Sequence, residues 1–411
     1  MRLIAAATVA VTFAFGLVAF PWSAASAAGP PQLDARSWLL IDARTGETLA
    51  RESPDRRLPM ASTTKMMTAY LAMQRLRFDK VVPAVRYEAS PGESLMGIQA
   101  GQELSVRDLL YGLMLLSGND AAVTLAVAVA GTVPRFVALM NRTARRLGLG
   151  DTSYENPIGL DGARQYSSAA DLVALSRVLM SDPRFRVIAG ARTATLRSYS
   201  PPIEIETGNE FVRDIPWAKG IKTGYTRLAG YVLASDGRRN ATELIAAVMG
   251  APSEGVRDAE TVELMDYGFS LYRKRVPVRP GKPLAQVPVR FEGEDLPVSS
   301  RVQVRIGVRE GDSLEVALDL PDEVEGPLAR GDRTGSATVR VNGELIRTVP
   351  LFADRDVVAP GLLDRTVGLL WSCLICLGIA LVVILGLALL YRRCQERKLR
   401  SRLIRAGKRQ R

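Results

Sequence analysis

The feature that most constrains the fold of this 411-residue chain is an uncharged apolar segment near each end. The first runs from Leu3 to Phe20 and leads into Ala25-Ser26-Ala27, which fits an A-x-A cleavage site. Residues 1–27 are therefore predicted to be a cleaved signal peptide; an uncleaved anchor is the alternative, because the run exceeds most signal cores. The second segment, 367–391, has 25 uncharged residues. At about 1.5 Å per residue it can cross a hydrocarbon core of about 30 Å as one transmembrane helix.

The net charge of +11 is concentrated in the tail that follows the second segment. Residues 392–411 contain ten Lys or Arg and one acid, Glu396, and so carry +9. By the positive-inside rule this basic tail lies in the cytoplasm, and the residues between the two apolar segments are extracytoplasmic. Because the remaining residues are nearly neutral, a nucleic acid is not expected as a partner.

Histidine is absent from the chain, and its three cysteines lie in or just after the second apolar segment. Without an imidazole, a Ser-His-Asp triad, a His-ligated zinc site and a haem with a proximal histidine are all excluded. Cys373 and Cys376 have C-x-x-C spacing, but within a bilayer we interpret them as small packing residues. The exported part has no cysteine, so its core alone must stabilise it.

The exported part changes its sequence pattern near residue 280. Residues 28–275 mix predicted strands with amphipathic helices, which indicates an α/β or α+β domain. Strands are predicted at 38–42, 230–234 and 244–249, and helices at 66–76, 108–116, 121–130 and 172–180. Asp236-Gly237 is predicted to form the turn between the last two strands.

Residues 278–353 alternate apolar and polar side chains, which is typical of strands with one buried face. Asn342-Gly343 is a type I′ hairpin signal. We expect a small all-β sandwich domain here, joined by a linker at 354–366 to the apolar segment.

Three short motifs carry groups that could perform catalysis. Ser62-Thr63-Thr64-Lys65 opens a helical stretch, so the amine of Lys65 and the hydroxyl of Ser62 share one helix face. The amine can act as a base only if its pKa falls. Ser117-Gly118-Asn119 follows a helical stretch, and Lys222-Thr223-Gly224 precedes a strand. Taken singly, the three motifs could be a solvated helix face, a capped helix–helix loop and an edge lysine beside a turn glycine.

Together, in this order and spacing, the three motifs resemble those of the D-alanyl-D-alanine carboxypeptidases, the low-molecular-mass penicillin-binding proteins. The resemblance covers about residues 35–355. It extends to the segments 105–112, 156–160, 220–226, 250–252, 266–269 and 282–286. Two features depart from the family: Ile158 stands where many members have histidine, and the chain ends in a predicted span where many have an amphipathic anchor.

The resemblance implies an α/β (α+β) penicillin-binding, β-lactamase-like transpeptidase domain at 28–275, with an antiparallel sheet and helices. The small all-β domain and one C-terminal transmembrane helix follow it. The protein is then expected in a bacterial cell membrane as a single-pass protein, with its catalytic domain on the periplasmic or wall side.

The catalytic residues that the resemblance implies are Ser62, Lys65, Ser117 and Asn119. As a neutral amine, Lys65 takes the proton of Ser62, which attacks the peptide carbonyl and forms an acyl-enzyme. Ser117 relays a proton to the leaving amine, and Asn119 orients the acyl part of the substrate. No metal ion or organic cofactor is implied.

The implied substrate-binding residues are Lys222, Thr223, Gly224, Tyr225 and Arg257. Lys222 is expected to help lower the pKa of the catalytic lysine. The backbone N–H groups of the nucleophilic serine and of Tyr225 are expected to hold the oxyanion. Lys222, Thr223 and Arg257 are candidates to bind the terminal carboxylate, with Arg238 and Arg239 as alternatives to Arg257.

The implied substrate is a peptidoglycan stem peptide ending in D-Ala-D-Ala. The other implied partners are β-lactam antibiotics as inhibitors and the bilayer around the C-terminal helix. A class A-like β-lactamase is one alternative, but Glu155, followed by Asn156-Pro157, does not match the loop that carries its deacylating glutamate. A DD-endopeptidase acting on wall crosslinks and a non-catalytic wall-binding protein are the others. The intact motif residues argue against the last.

Overall fold

The computed structural model describes residues 29–361 and 377–392. The chain divides into two compact units between Arg273 and Lys274. The predicted signal peptide, the end of the predicted linker, residues 367–376 of the predicted span and the basic tail from residue 393 lie outside the described residues.

The first unit combines strands and helices. Its elements are β1 (Ser37–Asp42), β2 (Thr48–Glu52), a 3₁₀ turn (Ala61–Thr64), α1 (Lys65–Arg75), β3 (Val81–Pro83), β4 (Glu103–Ser105), α2 (Val106–Leu115), α3 (Asn119–Ala130), α4 (Val133–Arg146), α5 (Ala169–Met180), α6 (Pro183–Ala189), β5 (Thr193–Leu196), β6 (Ile203–Glu206), α7 (Glu210–Asp214), β7 (Ala218–Thr226), β8 (Gly230–Arg239), β9 (Thr242–Ala251) and α8 (Glu254–Ser270). These bounds confirm the predicted α/β mixture and its principal helices.

A five-stranded antiparallel sheet in the order β2-β1-β9-β8-β7 forms the centre of this unit. Strand β9 has apolar residues on both faces. Ile245, Ala247 and Met249 belong to the larger core with the helices that include α1, α2 and α5. Leu244 and Ala246 belong to a second core with residues of α8. Two helical layers thus cover the sheet, which explains the unbroken apolar run in this strand.

The predicted turn at Asp236-Gly237 is wrong. Both residues lie inside β8, where they pair with Ile245 and Leu244 of β9. The chain turns instead at Asn240 and Ala241, which have φ of +51° and +69°. Gly237 allows close packing against Trp217, because a Cβ at this position would lie 2.7 Å from the ring of that residue. A tertiary contact therefore accounts for a glycine that resembles a turn residue in the sequence.

The second unit has a β fold in its described residues up to 361. Its strands are β10 (Arg273–Val278), β11 (Pro283–Val287), β12 (Leu296–Ser299), β13 (Val304–Val308), β14 (Leu314–Asp319), β15 (Arg333–Val341) and β16 (Glu344–Ala353). They form a five-stranded sheet in the order β11-β12-β16-β15-β14 and a two-stranded sheet of β10 and β13. The hairpin between β15 and β16 is confirmed, with Asn342 and Gly343 at φ of +52° and +79°. Val357, within the predicted linker, is buried and exchanges backbone hydrogen bonds with Leu328.

Among the described residues, no single helix is long and apolar enough to cross a membrane, although the bent pair α3–α4 meets the criteria of length and composition. A shorter apolar helix, Leu377–Arg392, overlaps the second part of the predicted span.

Candidate active site

Ser62 lies on the 3₁₀ turn that leads into α1. The turn places Nζ of Lys65 2.9 Å from Oγ of Ser62. The same amine donates a hydrogen bond to the backbone carbonyl of Ile158 at 2.8 Å. The hydroxyl and the amine are therefore within the distance that a nucleophile and its general base require.

The loop that carries Ile158 packs directly against this turn. Gly159 has φ of +100°, and a Cβ there would lie 1.9 Å from the carbonyl oxygen of Ala61. The Oδ1 atom of Asn156 accepts a hydrogen bond from the N–H of Gly159 at 2.6 Å and so fixes the loop. Because Ile158 holds Lys65 through its main chain, this contact does not depend on the side chain at position 158.

The environment of Lys65 favours its neutral form. The residue is 1% exposed. Burial lowers its pKa well below the ordinary value, and the positive charge of Lys222 lowers it further. Glu93 and Asp120 act in the opposite direction but do not outweigh burial. A neutral lysine amine can accept a proton, so this environment suits a general base.

Lys222, Thr223 and Gly224 lie in β7, the edge strand of the central sheet. Nζ of Lys222 donates to the carbonyl of Thr223 at 2.9 Å. Burial and the charge of Arg257 lower the pKa of Lys222 to about 7. Gly224 is inside the strand rather than at a turn, and a Cβ there would lie 2.7 Å from the backbone nitrogen of Ser62. Only a glycine therefore allows this strand to approach Ser62 so closely.

Ser117 lies in the connection between α2 and α3, and Asn119 is the first residue of α3. Ser117 has φ of +59°, a left-handed conformation that is uncommon for a residue with a side chain. The backbone N–H of Asn119 donates to the carbonyl of Ser94 at 2.9 Å. Its side-chain Nδ2 donates to Oε2 of Glu93 at 2.7 Å. The segment before β4 thereby fixes both the backbone and the side chain of the second motif.

Two acidic residues missed by sequence reasoning hold this segment in place. Asp120 accepts hydrogen bonds from the backbone N–H groups of residues 96–98 at 2.8, 2.8 and 3.1 Å. Glu93 accepts hydrogen bonds from Asn119 and from the hydroxyl of Tyr87. Burial raises the pKa of Glu93, but the hydrogen bonds that it accepts outweigh burial and the net pKa is lowered. Asp120 could have been noticed in the first turn of a helix, whereas Glu93 belongs to no motif.

Seven of the nine predicted site residues line one pocket of about 360 Å³. They are Ser62, Ser117, Lys222, Thr223, Gly224, Tyr225 and Arg257. The other two, Lys65 and Asn119, are buried directly behind it, against Ser62 and Glu93. The fold thus brings three motifs that are far apart in sequence to one pocket. The pocket is lined by the hydroxyls of Ser62 and Ser117, by the cationic side chains of Lys222 and Arg257, and by the strand that contains Gly224.

Arg257 reaches this pocket from α8. Its guanidinium donates to both carboxylate oxygens of Asp258, at 2.8 and 2.9 Å, and to Oε1 of Glu254 at 3.1 Å. Of the two alternatives, Arg239 lies over the ring of Trp217 and pairs with an acid of α8 at 2.8 Å, and Arg238 is exposed. In the part of the chain that the structure describes, neither alternative lines the pocket.

The described residues include no group of three or more Cys, Asp or Glu side chains arranged to hold a metal ion. The groups that line the pocket or lie directly behind it are hydroxyls, two lysine amines, a guanidinium, the carboxylate of Glu254 and backbone N–H groups. Such a set can perform acyl transfer on a substrate that carries an anion.

The chain is similar to known proteins over most of its length. Residues 24–253 match a family described as D-alanyl-D-alanine carboxypeptidase, and residues 272–359 match the C-terminal domain of penicillin-binding protein 5. The carboxypeptidase DacA of Escherichia coli K12 is 33% identical over 346 residues, covering 80% of this chain and 85% of that protein. The carboxypeptidase DacF of Bacillus subtilis is 29% identical, covering 82% of this chain and 90% of that protein.

A solved structure also resembles this chain. Penicillin-binding protein 5 from Haemophilus influenzae has a TM-score of 0.56 and 29% sequence identity. The match covers 80% of this chain and 99% of that one, so it extends through both units.

Proposed function

This chain belongs to the D-alanyl-D-alanine carboxypeptidase family and is a serine hydrolase of that class, and from this premise we propose that Ser62 is its nucleophile and Lys65 its general base. The observation that carries this assignment is the buried amine 2.9 Å from the serine hydroxyl. The chain has no histidine, so in this proposal an amine of lowered pKa takes the hydroxyl proton.

In the acylation step, Oγ of Ser62 attacks the carbonyl carbon of the penultimate D-alanine while its proton passes to Nζ of Lys65. The bond to the leaving D-alanine nitrogen then breaks, and that nitrogen receives the proton through the hydroxyl of Ser117. Water then attacks the ester carbonyl while the same lysine takes its proton, and the lysine gives that proton to Oγ of Ser62 as the ester bond breaks. The products are free D-alanine and the shortened stem peptide.

The backbone N–H groups of Ser62 and Tyr225 are proposed to hold the oxyanion. Support comes from the close approach of β7 to the nucleophile turn, which a glycine at position 224 permits. Asn119 is proposed to orient the acyl part of the substrate, with its amide fixed by Glu93.

Lys222, Thr223 and Arg257 are proposed to bind the carboxylate of the terminal D-alanine in a peptidoglycan stem peptide. All three line the pocket beside Ser62. A terminal carboxylate gains charge-assisted hydrogen bonds there, each contributing about 1.5–3 kcal/mol. β-Lactam antibiotics, which carry both a reactive carbonyl and a carboxylate, are proposed to acylate the same serine.

A class A-like β-lactamase is less consistent with the pocket. Glu155, the glutamate considered for deacylation, lines a separate groove with Tyr154 and Arg164 and pairs with Arg164 at 3.2 Å. A slow deacylation is therefore expected, as in an enzyme that penicillin inhibits.

Covalent labelling by benzylpenicillin tests the assignment of the nucleophile. We expect intact-mass analysis of the detergent-solubilised protein to show one adduct, and peptide mapping to place it on Ser62. The Ser62→Ala variant should show none. An adduct on another residue, or none on the wild type, would contradict the assignment.

A further inference from the structure

We propose that Glu254 competes with the terminal carboxylate of the substrate for Arg257, and that it thereby sets the affinity of the pocket for a free acid. This inference rests on the proposed role of Arg257 in carboxylate binding. Glu254 belongs to none of the three motifs and lies three residues before Arg257 on α8.

Arg257 is an almost completely buried cation with two acidic partners. Its side chain is 2% exposed. Asp258 accepts two hydrogen bonds from Nε and Nη2, at 2.8 and 2.9 Å. Glu254 accepts one from Nη2, at 3.1 Å. A buried arginine needs such partners, because an unpaired buried charge is strongly unfavourable.

The two acids occupy different positions relative to the pocket. Glu254 lines the pocket beside Ser62 and Lys222, and its side chain is 48% exposed. Asp258 lines a different groove, formed with α7, and its side chain is 21% exposed. Asp258 therefore holds the guanidinium from behind, whereas Glu254 meets it on the side where the substrate enters.

Charge explains why Glu254 must yield when substrate binds. A substrate carboxylate that approaches Arg257 through the pocket meets the like charge of Glu254 and competes for the same guanidinium. Since Glu254 is half exposed and makes a single hydrogen bond to Arg257, it can turn into water at small cost. The bidentate contact with Asp258 remains, so Arg257 stays paired during the exchange.

The competition lowers the affinity of the pocket for a free acid and does not affect a ligand with a neutral end. Only a ligand with its own carboxylate can replace Glu254 on Arg257. A neutral end, such as a C-terminal amide, leaves Glu254 in place and gains nothing from the guanidinium. Removing the charge of Glu254 should therefore raise kcat/KM for the free acid and not for the amide.

The test compares a pentapeptide ending in free D-Ala-D-Ala with its C-terminal amide, using full-length protein. We expect Glu254→Gln to raise kcat/KM for the free acid about three- to tenfold, because it removes a half-screened competing charge, and to leave the amide unchanged. Glu263→Gln removes the same charge from an exposed site on α8 and serves as the matched control. It should match the wild type with both substrates.

Two outcomes would overturn the role of Glu254. One is an unchanged or lower kcat/KM for the free acid in Glu254→Gln; the other is an equal rise for both substrates. Arg257→Ala separates this from the proposed function. If that variant keeps the full preference for the free acid, the carboxylate site itself is wrong. If it loses the preference while Glu254→Gln behaves as the wild type, only the competition is wrong.

Discussion

Lys65 is the residue on which the chemistry of this site depends most. Replacing it with alanine removes the proposed base, so we expect acylation by benzylpenicillin to slow by about three to four orders of magnitude. Stopped-flow or gel-based labelling would measure this. Lys219→Ala is the control, because Lys219 is an exposed lysine on the same strand as Lys222. Equal labelling of Lys65→Ala and wild type would contradict the role of Lys65.

The pKa of Lys222 leads us to expect a change in kcat/KM at alkaline pH. Its pKa is lowered to about 7, first by burial and then by Arg257, so it loses its positive charge as the pH rises through that value. A neutral Lys222 cannot form a charge-assisted bond to the carboxylate. We therefore expect kcat/KM for the free acid to fall by about tenfold between pH 7 and pH 9. Arginine stays charged in this pH range, so the activity that Lys222→Arg retains should not decline between pH 7 and pH 9. If it does decline, another group is responsible for the pH dependence.

Glu93 is expected to be a positioning residue. Glu93→Ala frees the amide of Asn119 and removes the charge that raises the pKa of Lys65. We expect acylation to slow by about ten- to a hundredfold, the value of one lost hydrogen bond to a charged group. Glu93→Gln keeps an oxygen that can accept from Asn119, so it should restore most of the rate. Because Glu93→Gln lacks the negative charge that raises the pKa of Lys65, its acylation rate should begin to increase at a lower pH than that of the wild type. An unaltered rate in Glu93→Ala would exclude this role.

Among the elements, β7 packs closely against the 3₁₀ turn that carries Ser62. Gly224→Ala places a methyl group 2.7 Å from the nitrogen of Ser62 and 2.9 Å from Cβ of Ala61. The strand must then shift, which costs about 1–3 kcal/mol and displaces the N–H of Tyr225. We expect a lower Tm and a loss of acylation. Gly255→Ala is the control, since a Cβ at that position of α8 meets nothing within 4 Å. Similar effects of the two substitutions would show that the contact is unimportant.

Many of the strands and helices could be predicted from local sequence patterns. Alternation in β15 and β16 and the Asn342-Gly343 signal specify a hairpin that the structure confirms. Hydrophobic periodicity likewise gives α2, α3 and α5 to within a few residues. Gly237 shows the limit of such reasoning: Asp-Gly is a turn signal, but its glycine serves contact with Trp217, and only the tertiary fold reveals that contact.

The site was predictable only where a motif or the family resemblance named a residue, as the resemblance did for Arg257. The three motifs name residues that the fold brings to one pocket, although 160 positions separate Ser62 from Lys222. Glu93 and the carbonyl of Ile158 escape sequence reasoning, because one is an acid in a loop and the other a main-chain atom of an apolar residue. Hydrogen-bond partners of this kind depend on loop conformation, which periodicity does not specify.

At the scale of the whole molecule, we propose a single-pass membrane protein with its catalytic unit outside the cytoplasm. The uncharged stretch 367–391, the ten basic residues after it and the apolar helix Leu377–Arg392 support this. Protease added to intact spheroplasts should digest the protein up to about residue 366. A tag placed after Arg411 should remain protected until the membrane is opened. Digestion of that tag in intact spheroplasts would show that the tail faces outward.

Release of free D-alanine measures the D-Ala-D-Ala carboxypeptidase activity of this protein. The full-length, detergent-purified protein is incubated with a stem pentapeptide that ends in D-Ala-D-Ala, and D-alanine is measured over time. We expect the wild type and Ser270→Ala, which alters an exposed serine on α8, to release it at equal rates. Ser62→Ala should lose at least about three orders of magnitude of activity. Absence of release by the wild type, or undiminished release by Ser62→Ala, would contradict a serine D-Ala-D-Ala carboxypeptidase acting through Ser62.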